Sequence, residues 1–198
     1  MVDIKCTRLS DSFDIIPVMV SERLLDVTAS YVGMLLCVNG QFRSYNRHEE
    51  RKNRLVLSVF AREVKFIEEM EESSKTNQIY LDGYICKEPV YRKTPFGREI
   101  ADVLLAVNRA YNKSDYIPTI AWGRNSRFCQ TLEVGDNIRV WGRLQSREYQ
   151  KKISETEVVK KIAYEVSISK MERVTEENEE SLNNEGHENT HVTEKGAI

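Results

Sequence analysis

Cysteine and histidine are too few and too scattered here to build a metal site or a disulfide framework. Cys6, Cys37, Cys86 and Cys129 form no Cys-x-x-Cys pair, and two of the three histidines, His187 and His191, sit in a polar stretch near the C-terminus. Each cysteine therefore reads as a small buried apolar residue in a reducing compartment. Long apolar runs are missing too. Nothing approaches the ~20 residues of a spanning helix, and Met1-Val2-Asp3-Ile4-Lys5 lacks the apolar core of a signal peptide. The expectation is a cytoplasmic protein with no membrane partner. Catalytic signatures are equally sparse: the carboxylates are dispersed, no nucleophile sits in a recognisable motif, and no glycine loop suits a phosphate. The chain reads as a non-enzyme needing no cofactor and no metal, with Gly97, Gly123, Gly135 and Gly142 as turn or strand-packing glycines.

What the chain does have is an uneven distribution of charge under a net value of −2. Residues 1–76 hold 11 basic and 12 acidic side chains, residues 77–172 hold 16 and 12, and residues 173–198 hold 2 and 7. Only the middle segment is basic, and its sign suits a polyanionic partner. Within it, the odd positions from 139 to 151 are Arg139, Trp141, Arg143, Gln145, Arg147, Tyr149 and Lys151, which alternation places on one strand face. Val140, Gly142, Leu144 and Ser146 face the other way, toward a core. Guanidinium groups interleaved with rings suit single-stranded nucleic acid, since cations track phosphates and rings stack on unpaired bases. An exposed hairpin with a solvated face would carry the same pattern. The preceding segment tips the balance, because Tyr116 and Trp122 lie six residues apart and share a strand face.

The chain also repeats itself. Val32-Gly33, Val38, Gly40, Ser44, Val56, Ala61, Glu63 and Val64 recur 102 residues later as Val134-Gly135, Val140, Gly142, Ser146, Val158, Ala163, Glu165 and Val166. Upstream the offset is 101, with Arg8, Asp14, Ile16 and Pro17 matching Arg109, Asp115, Ile117 and Pro118. The second copy reads as five strands, Ile79 to Cys86, Ile100 to Arg109, Tyr116 to Trp122, Asn137 to Ser146 and Glu157 to Ser169, with a short helix from Asn125 to Leu132. Turns are expected at 94–97, 112–115 and 134–137. Five strands with a helix between the third and fourth is the layout of an OB-type barrel. The fold expected is all-β: two tandem OB-type five-stranded barrels, the first lacking its first strand, followed by a disordered acidic C-terminal tail. The boundaries are 1–70 for a degenerate N-terminal barrel, 71–76 for a linker, 77–172 for the complete barrel and 173–198 for the tail.

Several segments in order resemble the bacterial single-stranded DNA-binding proteins. They are Asp82-Gly83-Tyr84-Ile85-Cys86-Lys87-Glu88-Pro89, Arg92-Lys93-Thr94-Pro95-Phe96-Gly97, Leu104-Leu105-Ala106-Val107-Asn108-Arg109, Ile117-Pro118-Thr119-Ile120-Ala121-Trp122-Gly123 and Val140-Trp141-Gly142-Arg143-Leu144-Gln145-Ser146-Arg147. The whole chain looks like the two-barrel version of that family. The resemblance puts base-stacking aromatics at Tyr111, Tyr116, Trp122 and Tyr149, three of which strand parity also reaches. The candidate phosphate contacts are Arg92, Lys93, Arg98, Arg109, Arg124, Arg143, Arg147 and Lys151. In the first copy the stacking positions fall on Ser10, Ile15, Ser21 and Arg47, none aromatic, so that copy is expected to be mainly an assembly or accessory module. Tyr45, Arg43 and Arg47 remain within reach of a passing strand.

The resemblance implies sequence-independent single-stranded DNA binding in replication, recombination and repair. It also implies a homodimer bringing four barrels together, and replication or repair partners recruited through the tail. Two alternatives stay open: a primosome-type accessory protein whose barrels mediate protein contacts, and an RNA-binding barrel.

Overall fold

The computed structural model describes residues 1–8, 10, 12–26, 28–49, 52–69, 76–152 and 158–175, with side chains at 48–49, 52–54 and 151–152 left aside. Residues 71–75 of the linker expected at 71–76, and residues 176–198 of the tail expected at 173–198, lie outside the described residues.

Four strands make the N-terminal sheet: β1 (Val2–Thr7), β2 (Phe13–Met19), β3 (Leu35–Glu49) and β4 (Lys52–Ile67), in the spatial order β1-β2-β4-β3. Five strands make a closed barrel: β5 (Ile79–Lys93), β6 (Glu99–Arg109), β7 (Lys113–Trp122), β8 (Asn137–Lys152) and β9 (Val158–Arg173), in the order β5-β6-β7-β9-β8. Between β7 and β8 lie α1 (Arg124–Phe128) and a single 3₁₀ turn, Cys129–Thr131. The repeat maps β1 to β4 onto β6 to β9 with the same neighbour order. The first copy has no counterpart of β5 among the described residues, and its sheet is open.

Period-two alternation builds both sheets. On β5, Leu81, Gly83 and Ile85 point inward while Tyr80, Asp82 and Tyr84 point outward. Ile85, Leu105, Ile117, Ile138, Val140 and Val166 fill the barrel at 1% exposure or less. The smaller N-terminal core rests on Ile16, Val18 and Leu57, with Val2, Ile4, Val38 and Phe42 partly buried around it. Of the cysteines, Cys129 is buried but Cys37 is exposed, since its parity on β3 turns it away from the core opposite Lys65.

Gly40 and Gly142, matched by the repeat, do the same work. At each the partner strand skips a residue, and its backbone comes close enough to exclude a side chain. A Cβ on Gly142 would lie 2.2 Å from the Ser167 carbonyl oxygen, and one on Gly40 2.3 Å from that of Phe60. The extra residue at the second site, Ser169, belongs to β9, so β8 keeps its alternation through the irregularity.

The two units are joined by two reciprocal contacts built from repeated residues. In one, the buried Asp14 of β2 accepts hydrogen bonds from the Ser146 amide (2.8 Å) and Arg8 Nε (2.7 Å), with Arg143 Nη1 at 3.1 Å, while the Ile15 amide donates to Ser146 Oγ (3.1 Å). In the other, the buried Asp115 of β7 accepts from the Ser44 amide (2.7 Å) and Arg43 Nη1 (3.1 Å), Arg109 Nε lies 3.3 Å away, and the Tyr116 amide donates to Ser44 Oγ (2.7 Å). Asp14 corresponds to Asp115 and Ser146 to Ser44, so the contact is a pseudo-twofold one within a single chain. Burial alone would raise the Asp14 carboxyl. The hydrogen bonds from Arg8 and the Ser146 amide, with the Arg8 and Arg143 charges, outweigh it and hold the carboxyl below the ordinary range.

Candidate nucleic-acid interface

Alternation along β7 turns Asp115, Ile117, Thr119 and Ala121 inward and leaves Tyr116 and Trp122 outside, about 20 Å apart at strand rise. Tyr116 is 47% exposed and Trp122 38%. The Trp122 indole N–H donates to Ser167 Oγ on β9 (3.2 Å), which fixes the ring orientation while leaving a face in solvent. Tyr111 stands in the tight turn between β6 and β7. Its φ is 63° and that of Asn112 is 53°, left-handed values that cost a non-glycine residue on the order of 1 kcal/mol and hold the ring 94% exposed. Tyr149 projects from the β8–β9 hairpin, with the Arg147 guanidinium 6.0 Å from its ring centroid.

The row on β8 does not act as one surface. Arg139 pairs with Asp82 (3.3 Å), and Trp141 lies against the Tyr80 ring (centroids 5.2 Å apart) with Lys170 Nζ 4.3 Å from its own centroid. Arg143 reaches Asp14 of the other unit. Gln145 is buried and donates to Glu165 Oε1 (2.6 Å). The N-terminal unit meets β8 at Arg143 and Ser146, so Arg147 and Tyr149 of the outward row, with Lys151 on the strand beyond them, extend past the contact. The Lys151 side chain is outside the described residues.

The other basic candidates divide into held and free groups. Arg92 makes a two-pronged pair with Asp102 (Nε to Oδ2, 2.9 Å; Nη2 to Oδ1, 3.2 Å), and Arg109 lies beside Asp115. Arg147 is 3.9 Å from Glu165, too far for a strong pair. Lys93, Arg98 and Arg124 are exposed and have no ion pair among the described residues; Lys93 ends β5, Arg98 follows Gly97 in the β5–β6 turn, and Arg124 opens α1. Sequence reasoning passed over Tyr80 on β5, whose ring packs on Trp141, and the groove where Tyr45, Asn46 and Leu55 of the N-terminal sheet meet Arg109, Ser114 and Tyr116. Parity on β5 would have found the first. The second is formed by two units, and no local pattern announces it.

The sequence model of the Single-strand binding protein family matches residues 76–174, half of the chain. The chain belongs to that family. Single-stranded DNA-binding protein 1 of Staphylococcus aureus (strain COL) is 35% identical over 94 residues, 42% of this chain and 56% of that protein. Single-stranded DNA-binding protein A of Bacillus subtilis (strain 168) is 35% identical over 81 residues, 37% of this chain and 47% of that protein. The chain thus spans about half the length of these curated relatives. The family is one of binding proteins rather than enzymes. A crystal structure of a deletion mutant of the single-stranded DNA binding protein from Thermus aquaticus superposes with a TM-score of 0.66 at 20% identity, covering 88% of this chain and 80% of that one. The wild-type protein from the same organism gives 0.61 at 22% identity, with 88% and 78% covered. Both neighbours reach across most of this chain, so their likeness extends past the segment that the family model matches to the fold of the N-terminal sheet.

Proposed function

We propose that the protein binds single-stranded DNA without sequence preference, stacking bases on Tyr111, Tyr116, Trp122 and Tyr149 and drawing phosphates to Lys93, Arg98, Arg124, Arg147 and Lys151. The observation that carries this reading is the exposure of all four rings on one closed barrel that also carries Lys93, Arg98 and Arg124 without ion pairs among the described residues. Every base offers a ring face and every nucleotide a phosphate, so recognition of this kind is general for single strands. The relatives' names point the same way. Arg92, Arg109 and Arg143 already have carboxylate partners, so their contribution to phosphate binding is the smaller one.

The division at residues 71–76 separates this binding barrel from an N-terminal unit that lacks the four rings and serves mainly to dock. Coating of transient single strands in replication, recombination and repair follows from such binding, in a cytoplasmic, nucleoid-associated setting. No helix among the described residues is long and apolar enough to cross a membrane. A homodimer would assemble four barrels, and the acidic tail would meet replication or repair proteins. Anisotropy of a labelled oligo-dT tests the binding: Tyr116→Ala and Tyr149→Ala should each weaken it by about 1–3 kcal/mol. Wild-type-like affinity in both variants would remove the stacking assignment, and sedimentation at a single-chain mass would remove the dimer.

A further inference from the structure

Of the two reciprocal contacts between the units, the one built on Asp115 is flanked by a groove. It has a volume of about 260 Å³ and is lined by Tyr45, Asn46 and Leu55 from the N-terminal sheet, and by Arg109, Ser114 and Tyr116 from the barrel. The repeat converts Tyr45 to Arg147, Asn46 to Glu148, Ser114 to Phe13 and Tyr116 to Ile15 at the counterpart position. Of the two contacts, only the one beside Asp115 therefore presents a tyrosine from each unit, and only there does an uncharged amide stand where the other has a carboxylate.

From this geometry we infer that the groove is a single-strand subsite shared by both units, in which a strand stacked on Tyr116 continues across the junction onto Tyr45. Tyr45 is 44% exposed and Tyr116 47%, so each keeps a ring surface that a base can cover. Between them Asp115 serves two guanidinium groups, Arg43 and Arg109, which leaves the floor with an excess positive charge beside a passing phosphate. Asn46 offers a donor and an acceptor that any base edge or phosphate can use. At the counterpart position Glu148 is engaged by Lys160 Nζ (2.8 Å), and its carboxylate has no donor to offer. The N-terminal unit thus lengthens the binding path in addition to docking on the barrel.

This inference rests on the proposed single-strand binding, and its test separates the two. Full-length protein is titrated with oligo-dT of about 8 nucleotides, within the span of one barrel, and of about 30 nucleotides. Tyr45→Ala and Asn46→Glu are expected to weaken the longer oligonucleotide by about fivefold or more and leave the shorter one unchanged. Tyr45→Phe, which keeps the ring, should restore wild-type affinity. Photocrosslinking with 5-iododeoxyuridine in the longer strand should give an adduct at Tyr45. Wild-type affinity in Tyr45→Ala together with adducts confined to the barrel would overturn the shared subsite and leave the barrel reading standing. Failure of the wild type to bind either length would remove both.

Discussion

Removing the Asp14 carboxylate should open one of the two contacts between the units, and its cost can be worked from the structure. In Asp14→Ala the half-buried Ser146 amide, now bonded at 2.8 Å, loses its acceptor, which costs about 1–3 kcal/mol. Arg8 and Arg143 lose their partner as well, but with 28% and 39% of their side chains exposed they rehydrate, adding about 0.2–1 kcal/mol each. The total is about 1.4–5 kcal/mol, a shift of about 0.7–2.5 M in the urea midpoint at an m-value of about 2 kcal/mol/M. Asp3→Ala, at an exposed position on β1, is the control and should stay within about 0.5 kcal/mol. The contact should also be pH-dependent. Because the folded carboxyl is held below its unfolded value, its stabilisation is complete above about pH 4 and fades as pH falls through the depressed value. Urea unfolding followed by circular dichroism at several pH values measures both effects. A midpoint for Asp14→Ala that matches Asp3→Ala would refute the reasoning.

Three further outcomes follow from single residues. Gly142→Ala must push its Cβ away from the Ser167 carbonyl, and thermal unfolding should show a loss of about 1–3 kcal/mol. Tyr111→Gly should stabilise the barrel by up to about 1 kcal/mol by relieving a left-handed non-glycine backbone, while weakening oligo-dT binding in the same preparation. A thiol reagent should label the exposed Cys37 first and leave Cys129 untouched in the native protein, since burial pushes the Cys129 thiol up to about 11; early labelling of Cys129, read by mass spectrometry, would contradict this packing.

Much of the fold was legible because alternation and the 102-residue offset are local or periodic signals. They predict five strands in the second copy and four in the first, with matching glycines at 40 and 142. Strand ends were less legible. β5 runs to Lys93 and β8 to Lys152, well past their last core-facing residues, because hairpin ladders continue on backbone hydrogen bonds where no apolar pattern marks them. The turn expected at 112–115 is shorter, with Lys113 already in β7. Parity turned Tyr116, Trp122 and Tyr149 outward correctly. It could not show that Gln145 is covered, or that Arg143 is engaged by a carboxylate 129 residues away, the second of which depends on how the other unit docks. The repeat singled out Asp14, Asp115, Ser44 and Ser146, but shared residues within each copy explain such matches equally well. Only the fold shows that they pair crosswise.

Titration of the full-length chain with oligo-dT, followed by intrinsic tryptophan fluorescence at low and high salt, tests the central claim most directly. Trp122 should be quenched as bases stack, affinity should fall steeply with salt as phosphate counterions compete, and Trp122→Ala combined with Tyr149→Ala should lose most of the binding. An unquenched signal and no detectable binding at either salt would contradict the account and assign the exposed rings to a protein partner instead.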